Sequence, residues 1–425
     1  MKKSLILISL LILSLALSVA VQGAKATTIT YGRWASMEEA ENFKKLIATF
    51  EKANPDIKVQ AEFLPWNAYW DKLKTTIMSG EAYDVISFSH LNSAPYVSKE
   101  ALYDMSKLEG AKQLLKEMPV NVQGTVIYKG KIYGMPVGIG VRAFVYNKDL
   151  FEEAGVPYLD QNKPLTWDEF MVIGEKLTKT DANGKVIQYA SNFHTGQMWE
   201  ACVVQAGGKL LDNNTRPTKV TINTPEGIAG LTFFTNLLKK KINVPFSDQW
   251  NGPWGSPDSA LNTRKVAIIQ TGPWSLSSII ENKINFATCP CFMGNTKKRA
   301  TFGYTNFLSI SKNSKKAQAA WQFIKWCASA KGQLEFTKTG DLPANTKALA
   351  AAKANPVLYG PEVMNAFFSE QPYVINGPML PSEEFNTVVN NIINDMLQFK
   401  ITPAEAAKQI EEQGNAVIKR IFAED

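Results

Sequence analysis

The sequence predicts an α/β protein built from two lobes, and three observations support that prediction. The chain has 425 residues, more than one hydrophobic core normally organises. Hydrophobic residues make up 45% and charged residues 20%, which is a globular composition. Strand patterns alternate with helical patterns along the chain, an order that predicts parallel sheets covered by helices.

The first 26 residues have the layout of a secretory signal peptide. Lys2 and Lys3 precede an apolar run over residues 5–21, and Ala24-Lys25-Ala26 is a small-x-small cleavage pattern. A membrane anchor is the alternative, although the run is at the short limit for crossing a bilayer. No cysteine lies near the cleavage point for acylation. We therefore expect a periplasmic protein without a lipid anchor.

The first elements after this segment follow a strand-helix-strand-helix-strand order. Ser36 and Glu39 have capping-box spacing, and the apolar residues that follow them share one helical face. Alternating apolar and polar residues indicate a half-buried strand after Asn54-Pro55. The predicted elements are a strand at 28–32, a helix at 36–54, a strand at 57–63, a helix at 66–79 and a strand at 84–89.

The same signals recur later in the chain. Thr166 begins a predicted helix that reaches residue 177, Thr224 precedes one that reaches 238, and Thr402 precedes a final helix to 422. Residues 265–270 predict a buried strand. Residues 181–184 predict a turn, and a calcium loop is the less favoured alternative because Asn192 stands where that loop needs glutamate.

Charge and cysteine content narrow the class of protein. Without Lys2, Lys3 and Lys25 the chain has 43 basic and 39 acidic side chains, a net charge of +4 from 43 − 39. No basic tract is interleaved with aromatic residues, so we expect no nucleic-acid partner. We expect a monomer without a cofactor or metal. The cysteines fit no zinc spacing, and both buried thiols and disulfides stay open for them: Cys202, Cys289, Cys291 and Cys327.

Seven segments in a fixed order resemble one known family. They lie at 43–59, 84–90, 131–155, 165–170, 264–274, 311–317 and 402–408. The most specific is KIYGMP at 131–136 followed by VYNKDLFEEAG at 145–155. Each segment alone is a weak signal, but together they span nearly the whole chain after the leader. The sequence therefore resembles the extracellular solute-binding proteins, which include maltose- and oligosaccharide-binding proteins.

The resemblance implies the periplasmic-binding-protein fold, in which a hinged cleft separates two α/β lobes. It places residues 27–138 and about 304–350 in the first lobe. Residues of about 142–300 and 356–425 fall in the second lobe. It also implies a ligand between the lobes and a membrane permease of an ABC importer as the partner.

Tryptophans supply the candidate surfaces for a sugar, because flat aromatic rings suit the apolar faces of sugar rings. Trp34 and Trp66 each follow a predicted strand, and ligands of α/β sheets meet the carboxyl ends of strands. Trp70 is one helical turn later, where it could lie beneath Trp66. The resemblance adds Trp274, because the matching tryptophan of maltose-binding relatives stacks on a sugar.

Two further regions contain candidate tryptophans. Trp250 and Trp254 lie on a stretch without helix or strand pattern, which either a ligand or packing onto its own lobe would cover. Trp199 lies near the start of a helix, in a region where relatives contact sugar.

Polar candidates come mainly from the resemblance. His90 matches a histidine at the end of a strand in the relatives, although a structural role suits His90 equally. Asn92 lies where the relatives have a polar contact to the ligand. Tyr304 and Asn306 lie near the second crossover between lobes. Asp341 follows a helix and could accept two sugar hydroxyls or hold its own loop.

Arg142 lies beside the first crossover. In the cleft it would favour an acidic ligand through a forked contact to carboxylate, and the alternative is a structural pairing across the hinge.

The combined prediction is non-catalytic capture of a carbohydrate, most simply an oligosaccharide, for import. No nucleophile elbow, phosphate loop or zinc-protease motif is present. The alternatives are a binding protein for a non-sugar solute, such as glycerol phosphate or a polyamine, and a secreted carbohydrate-active enzyme with two placed carboxylates.

Overall fold

The computed structural model describes residues 26–193, 195–213, 217–249, 252–356, 358–375 and 383–423. The predicted signal peptide, except for Ala26, and Trp250 lie outside these residues. Within the described ranges, no helix has the length and apolar character needed to cross a membrane.

The strands of the described residues are mostly short. They are β1 (Thr27–Trp34), β2 (Ile57–Leu64), β3 (Val85–Ser89), β4 (Ile127–Tyr128), β5 (Lys131–Ile132), β6 (Met135–Val141), β7 (Ala143–Asn147), β8 (Lys179–Thr180), β9 (Val186–Asn192), β10 (Val266–Thr271), β11 (Phe286–Cys289), β12 (Thr301–Ile310) and β13 (Val374–Ile375).

Helices connect these strands and cover the sheets. They are α1 (Met37–Ala53), α2 (Trp66–Ser79), α3 (His90–Ser98), α4 (Ala111–Leu115), α5 (Val120–Gln123), α6 (Lys148–Glu153), α7 (Trp167–Leu177), α8 (Thr195–Ala206), α9 (Pro225–Lys239), α10 (Pro257–Asn262), α11 (Leu276–Glu281), α12 (Ala317–Ala328), α13 (Ala330–Thr337), α14 (Thr346–Ala354), α15 (Pro361–Glu370), α16 (Glu383–Leu397) and α17 (Pro403–Ala423).

The predicted helix starts are confirmed, because their signals are local. The Ser36 side chain accepts a hydrogen bond from the backbone N–H of Glu39, and the Ser36 backbone N–H donates to the Glu39 carboxylate at 2.7 Å. Thr166 and Glu169 form the same reciprocal pair at the start of α7. Each pair satisfies two backbone groups that a helix start leaves without partners.

Two sheets divide the fold, which confirms the predicted two-lobed α/β class. The first sheet has the order β13-β12-β3-β1-β2, with β6 also paired to β12. The second has the order β11-β7-β10-β9-β8. In the first sheet β1 is parallel to β2 and β3, whereas β12 is antiparallel to β3 and β6. Residues more than 200 positions apart are therefore neighbours.

Arg142 is the single residue between the end of β6 in the first sheet and the start of β7 in the second. The segment between β11 and β12 makes a second crossing. β13 pairs with β12, so part of the segment predicted for the second lobe lies on the edge of the first sheet. The predicted lobe boundaries remain predictions.

Each lobe contains large buried aromatic side chains. Tyr31 and Phe43 belong to the cluster around the first sheet. Phe144 and Phe193 stack at 4.9 Å between ring centroids in the cluster of the second lobe. Burying one such side chain stabilises the folded state by about 1.5–3 kcal/mol. The framework behind the strand ends is therefore held rigidly.

The cysteines are buried free thiols, which resolves the alternatives left open by their spacing. The predicted turn at 181–184 is also present, with Gly184 at φ +76°. Oδ1 of Asp181 accepts hydrogen bonds from the backbone N–H groups of Asn183 and Lys185, so the turn itself occupies this oxygen. In the described residues, no group of three or more acidic, histidine or cysteine side chains could hold a metal ion.

Candidate functional site

The carboxyl ends of strands from both sheets meet beside Arg142. In the first sheet, Ser89 at the end of β3 is opposite Asn306 of β12, and Asn306 is opposite Gly138 of β6. In the second sheet, Thr271 at the end of β10 is opposite Ala143. Because β6 leads directly into β7, these strand ends come together between the lobes.

Many polar atoms at these strand ends are buried without a protein hydrogen-bond partner. On the first lobe they belong to Ser89, His90, Thr305, Asn306 and Arg33. On the second lobe and the crossover they belong to Asn192, Asp258, Gln270 and Arg142. Leaving one buried polar group unpaired costs about 1–3 kcal/mol, so such atoms are normally satisfied. Their concentration here makes this region the candidate site, because a bound ligand is one way to supply the missing partners.

His90 is a neutral hydrogen-bond donor within this set. Its Nδ1 accepts a hydrogen bond from the Thr305 backbone N–H at 2.9 Å. Burial lowers the pKa of His90 to about 4, so the imidazole is uncharged at neutral pH. A neutral imidazole that accepts at Nδ1 carries its proton on Nε2, and Nε2 has no protein partner. His90 therefore offers one fixed N–H to the site.

Asp341 is held by two neighbours. Its Oδ2 accepts from the Asn306 amide at 2.7 Å and lies 3.6 Å from Nη2 of Arg33. Burial raises the pKa of Asp341, and the attraction of Arg33 opposes that rise. Asp341 therefore holds Asn306 and Arg33 in place, which is the structural role that the sequence left open for it, and its role as a hydroxyl acceptor stays a prediction.

Trp274 connects the two lobes. It lies in a 3₁₀ turn after β10, and its indole is tilted by 40° against the Tyr304 ring at 5.6 Å. A Cβ atom placed on Gly340, in a first-lobe loop, would lie 2.9 Å from the N and Cα atoms of Trp274. Only the absence of a side chain at Gly340 permits this approach. Trp274 is partly exposed, as a stacking residue requires.

Arg142 lies between aromatic rings, and it forms no ion pair with an acidic side chain of the described residues. Its guanidinium is 5.6 Å from the Trp274 centroid and 5.5 Å from that of Phe302, and its Nη1 donates to the Gln270 carbonyl at 3.4 Å. Burial lowers its pKa. Burial also raises the pKa of Asp258, and attraction to Arg142 works against that rise. These two residues have opposite charges, as do Arg33 and Asp341, so each of the two arginines has an acidic neighbour.

Three tryptophans form a cluster on the first lobe. Trp34, at the end of β1, stacks on Trp70 at 5.5 Å and meets Trp66 edge-on at 5.0 Å. Trp66 is 45% exposed, whereas Trp34 and Trp70 are partly buried. Trp70 therefore supports the other two rings, as its spacing from Trp66 predicts.

Other predicted residues lie elsewhere. Trp254 packs edge-on against Tyr189 of its own lobe, with 4.7 Å between the ring centroids. Of the two alternatives for this loop, a ligand or packing onto its own lobe, the structure shows the packing. Trp199 is 4% exposed within the second core. Stacking on a ligand requires an exposed ring face, so we reassign Trp199 to the core. Asn92 lines a separate cavity beside Trp70.

The sequence analysis did not predict six of the residues that the structure brings to this site. They are Arg33, Ser89, Asn192, Asp258, Gln270 and Thr305. A usable signal exists for Gln270, which directly follows the apolar run over residues 266–269 of β10. A polar residue in such a position needs a partner, and the ligand is one candidate.

The two lobes and the candidate site between their sheets define the class of protein as a two-lobed solute-binding fold. Residues 45–358 match the family model described as bacterial extracellular solute-binding protein. This chain belongs to that family, which confirms the resemblance found in the sequence.

Among the similar proteins, a putative binding protein of Brucella abortus is 24% identical and matched over 98% of each chain. The galactooligosaccharide-binding protein of Bacillus subtilis is 22% identical, with 91% of this chain and 89% of the relative covered. An ABC substrate-binding protein of Listeria monocytogenes, solved in complex with cycloalternan, has a TM-score of 0.76 at 24% identity. That comparison covers 94% of this chain and 99% of the Listeria chain.

Proposed function

We propose that this protein captures a neutral oligosaccharide between its lobes and delivers it, chemically unchanged, to the permease of an ABC importer. The observation that carries this proposal is the set of unpartnered polar atoms at the strand ends, flanked by Trp34 and Trp66 on one lobe and Trp274 on the other. Polar groups of this kind suit hydroxyls, and indoles suit the apolar faces of sugar rings.

The charge balance supports a neutral sugar over an acidic one. Arg142, which would have favoured an acidic ligand, has Asp258 as an opposing charge, and Arg33 has Asp341. A carboxylate ligand would add an uncompensated negative charge to a buried region, which is costly. The similar proteins described as a galactooligosaccharide-binding protein and as a cycloalternan complex agree with an oligosaccharide ligand.

The test is a thermal-unfolding screen. Maltooligosaccharides, galactooligosaccharides, chitooligosaccharides and a uronate-containing oligosaccharide are compared with glycerol phosphate and spermidine. A ligand bound only by the folded state raises the melting temperature, by a free energy of about 2.7 kcal/mol at 100 times its Kd. We expect a shift with one class of neutral oligosaccharide. A shift with spermidine or glycerol phosphate alone would replace the sugar proposal.

Two further experiments test the remaining parts of this proposal. Mass analysis of the bound sugar after prolonged incubation should recover it intact, and any hydrolysis product would favour the enzyme alternative. N-terminal sequencing of the protein from a periplasmic extract should begin at residue 27. Retention in the membrane fraction would instead favour an anchored form.

A further inference from the structure

A cavity of about 450 Å³ lies beside the tryptophan cluster formed by Trp34, Trp66 and Trp70. It is bounded by α2, α3 and the first turn of α16, and its size falls within the usual range of small-molecule sites. Its principal lining residues are Trp70, Lys74, Asn92, Tyr96, Glu383 and Asn386.

Both lobes contribute to the wall of this cavity. Helices α2 and α3 directly follow strands β2 and β3 of the first sheet. Helix α16 instead packs into the second core through Phe385, Val389 and Ile393. An occupant would therefore contact both lobes, as does a ligand in the site at the strand ends.

Trp70 joins the cavity to the tryptophan cluster. Its ring stacks on Trp34 and meets Trp66 edge-on at 5.3 Å, and the same side chain lines the cavity. Its Nε1–H is buried and has no protein acceptor. Trp70 thus belongs both to the tryptophan cluster and to the wall of the cavity.

The remaining lining fits an uncharged polar ring. Asn92 supplies an amide, and Tyr96 supplies a half-buried phenol whose pKa is raised by burial and by the nearby Glu383 carboxylate. Asp71 and Glu383 oppose Lys74 and Lys99, so two acidic and two basic side chains balance. Aromatic surface, amide and balanced charge together suit a pyranose better than an ion.

We propose that this cavity is an additional sugar-binding site, which takes a further ring of the same neutral oligosaccharide that lies against Trp34 and Trp66. This inference rests on the proposed function and extends it to the length of the ligand. Because the cavity has walls from both lobes, a ring held there also stabilises their approach.

The test blocks the cavity from the exposed side. Asn386→Trp introduces an indole on α16 at a lining position, and Asn390→Trp introduces the same indole one helical turn away, outside the lining. Both residues are exposed asparagines, so their effects on folding are matched. Trp70→Phe is a third variant, which keeps an aromatic ring and removes the indole N–H.

Calorimetric titration uses the oligosaccharide class that the thermal screen selects, from the disaccharide to the pentasaccharide. In the unmodified protein we expect affinity to rise with length by about two- to tenfold when the added ring reaches the cavity, the scale of one aromatic stacking contact. Asn386→Trp should remove that increase and leave the shortest ligand unaffected. Trp70→Phe should also remove the increase, whatever its effect on the shortest ligand through Trp34 and Trp66. Asn390→Trp should behave like the unmodified protein.

Several outcomes would overturn the inference. Equal affinities of Asn386→Trp and Asn390→Trp at every length would exclude the cavity while leaving the proposed function intact. An equal loss for all lengths would show that the cavity is not an extension of the site. If two monosaccharides bind per protein and Asn386→Trp reduces this number to one, the cavity binds a separate sugar and not a further ring of the same oligosaccharide. Binding of no saccharide would reject the proposed function and this inference together.

Discussion

The close approach of Gly340 to Trp274 gives a sharp prediction about ligand affinity. Gly340 has φ +101°, and a Cβ atom there would lie 2.9 Å from the N and Cα atoms of Trp274 and 3.1 Å from its Cβ. Two of these neighbours are backbone atoms of the other lobe, which cannot rotate away. Gly340→Ala therefore forces the lobes apart at the site itself.

The size of the effect follows from the contact. Overpacking of a well-filled interface costs about 1–3 kcal/mol, which corresponds to roughly 5- to 150-fold in affinity if the ligand requires this approach of the lobes. Placing alanine at a positive φ also costs about 1–2 kcal/mol of folding stability, whatever its surroundings. The affinity loss and the stability loss must therefore be measured separately.

Gly130→Ala is the matched control. Gly130 has φ +72°, and a Cβ atom added there would meet no heavy atom within 4 Å, so the variant carries the backbone strain without the clash. Both variants should lower the urea midpoint. Only Gly340→Ala should weaken oligosaccharide binding in calorimetry. Equal binding by the two variants would refute the idea that ligand capture depends on the Gly340–Trp274 approach.

Three other substitutions test the site. Trp274→Ala should weaken oligosaccharide binding by about 2 kcal/mol, roughly thirtyfold, whereas Trp254→Ala should leave calorimetric affinity unchanged because Trp254 packs on Tyr189. Asp341→Ala should lower the free energy of unfolding by about 3–5 kcal/mol in a urea titration, because the Arg33 charge stays buried without its partner. Asp341→Asn should lower the free energy of unfolding by less in the same titration. Burial lowers the pKa of His90 from 6.5 to about 4. As the pH falls, the His90 imidazole is therefore protonated at a higher pH in the unfolded chain than in the folded protein. The stability associated with His90 is therefore present above pH 6.5 and is lost towards pH 4, by up to about 3 kcal/mol. His90→Gln should flatten the stability profile in that window, and an unchanged profile would contradict the buried neutral imidazole.

Local features of the sequence predicted local structure well. The capping boxes at Ser36 and Thr166 are present, and the helix predicted at 66–79 has these bounds in the structure. Such signals succeed because the interacting groups are three or four residues apart. The positions of Trp34 and Trp66 after strands follow from the same kind of local signal, and their contact with a ligand stays a prediction.

Packing decided the roles of other candidates. Trp199 and Trp274 are both tryptophans in segments that resemble the family, yet Trp199 faces the core and Trp274 borders the other lobe. The Trp254 loop packs on its own lobe. Nothing in the neighbouring sequence distinguishes these outcomes, because each depends on which distant element covers the ring.

The sequence by itself thus determined the alternation of strands and helices, the fold class and the family. The tertiary structure alone decided which polar groups share one site. His90 contacts Thr305, 215 positions later. Asn306 contacts Asp341 because β12 and the segment at Leu342 both pair with β6. Arg33, Gln270 and Asp258 can likewise be assigned to the site only from contacts between residues that are far apart in the sequence. Hydrogen bonds and burial act through space, whereas a pattern along the chain reports only on neighbours.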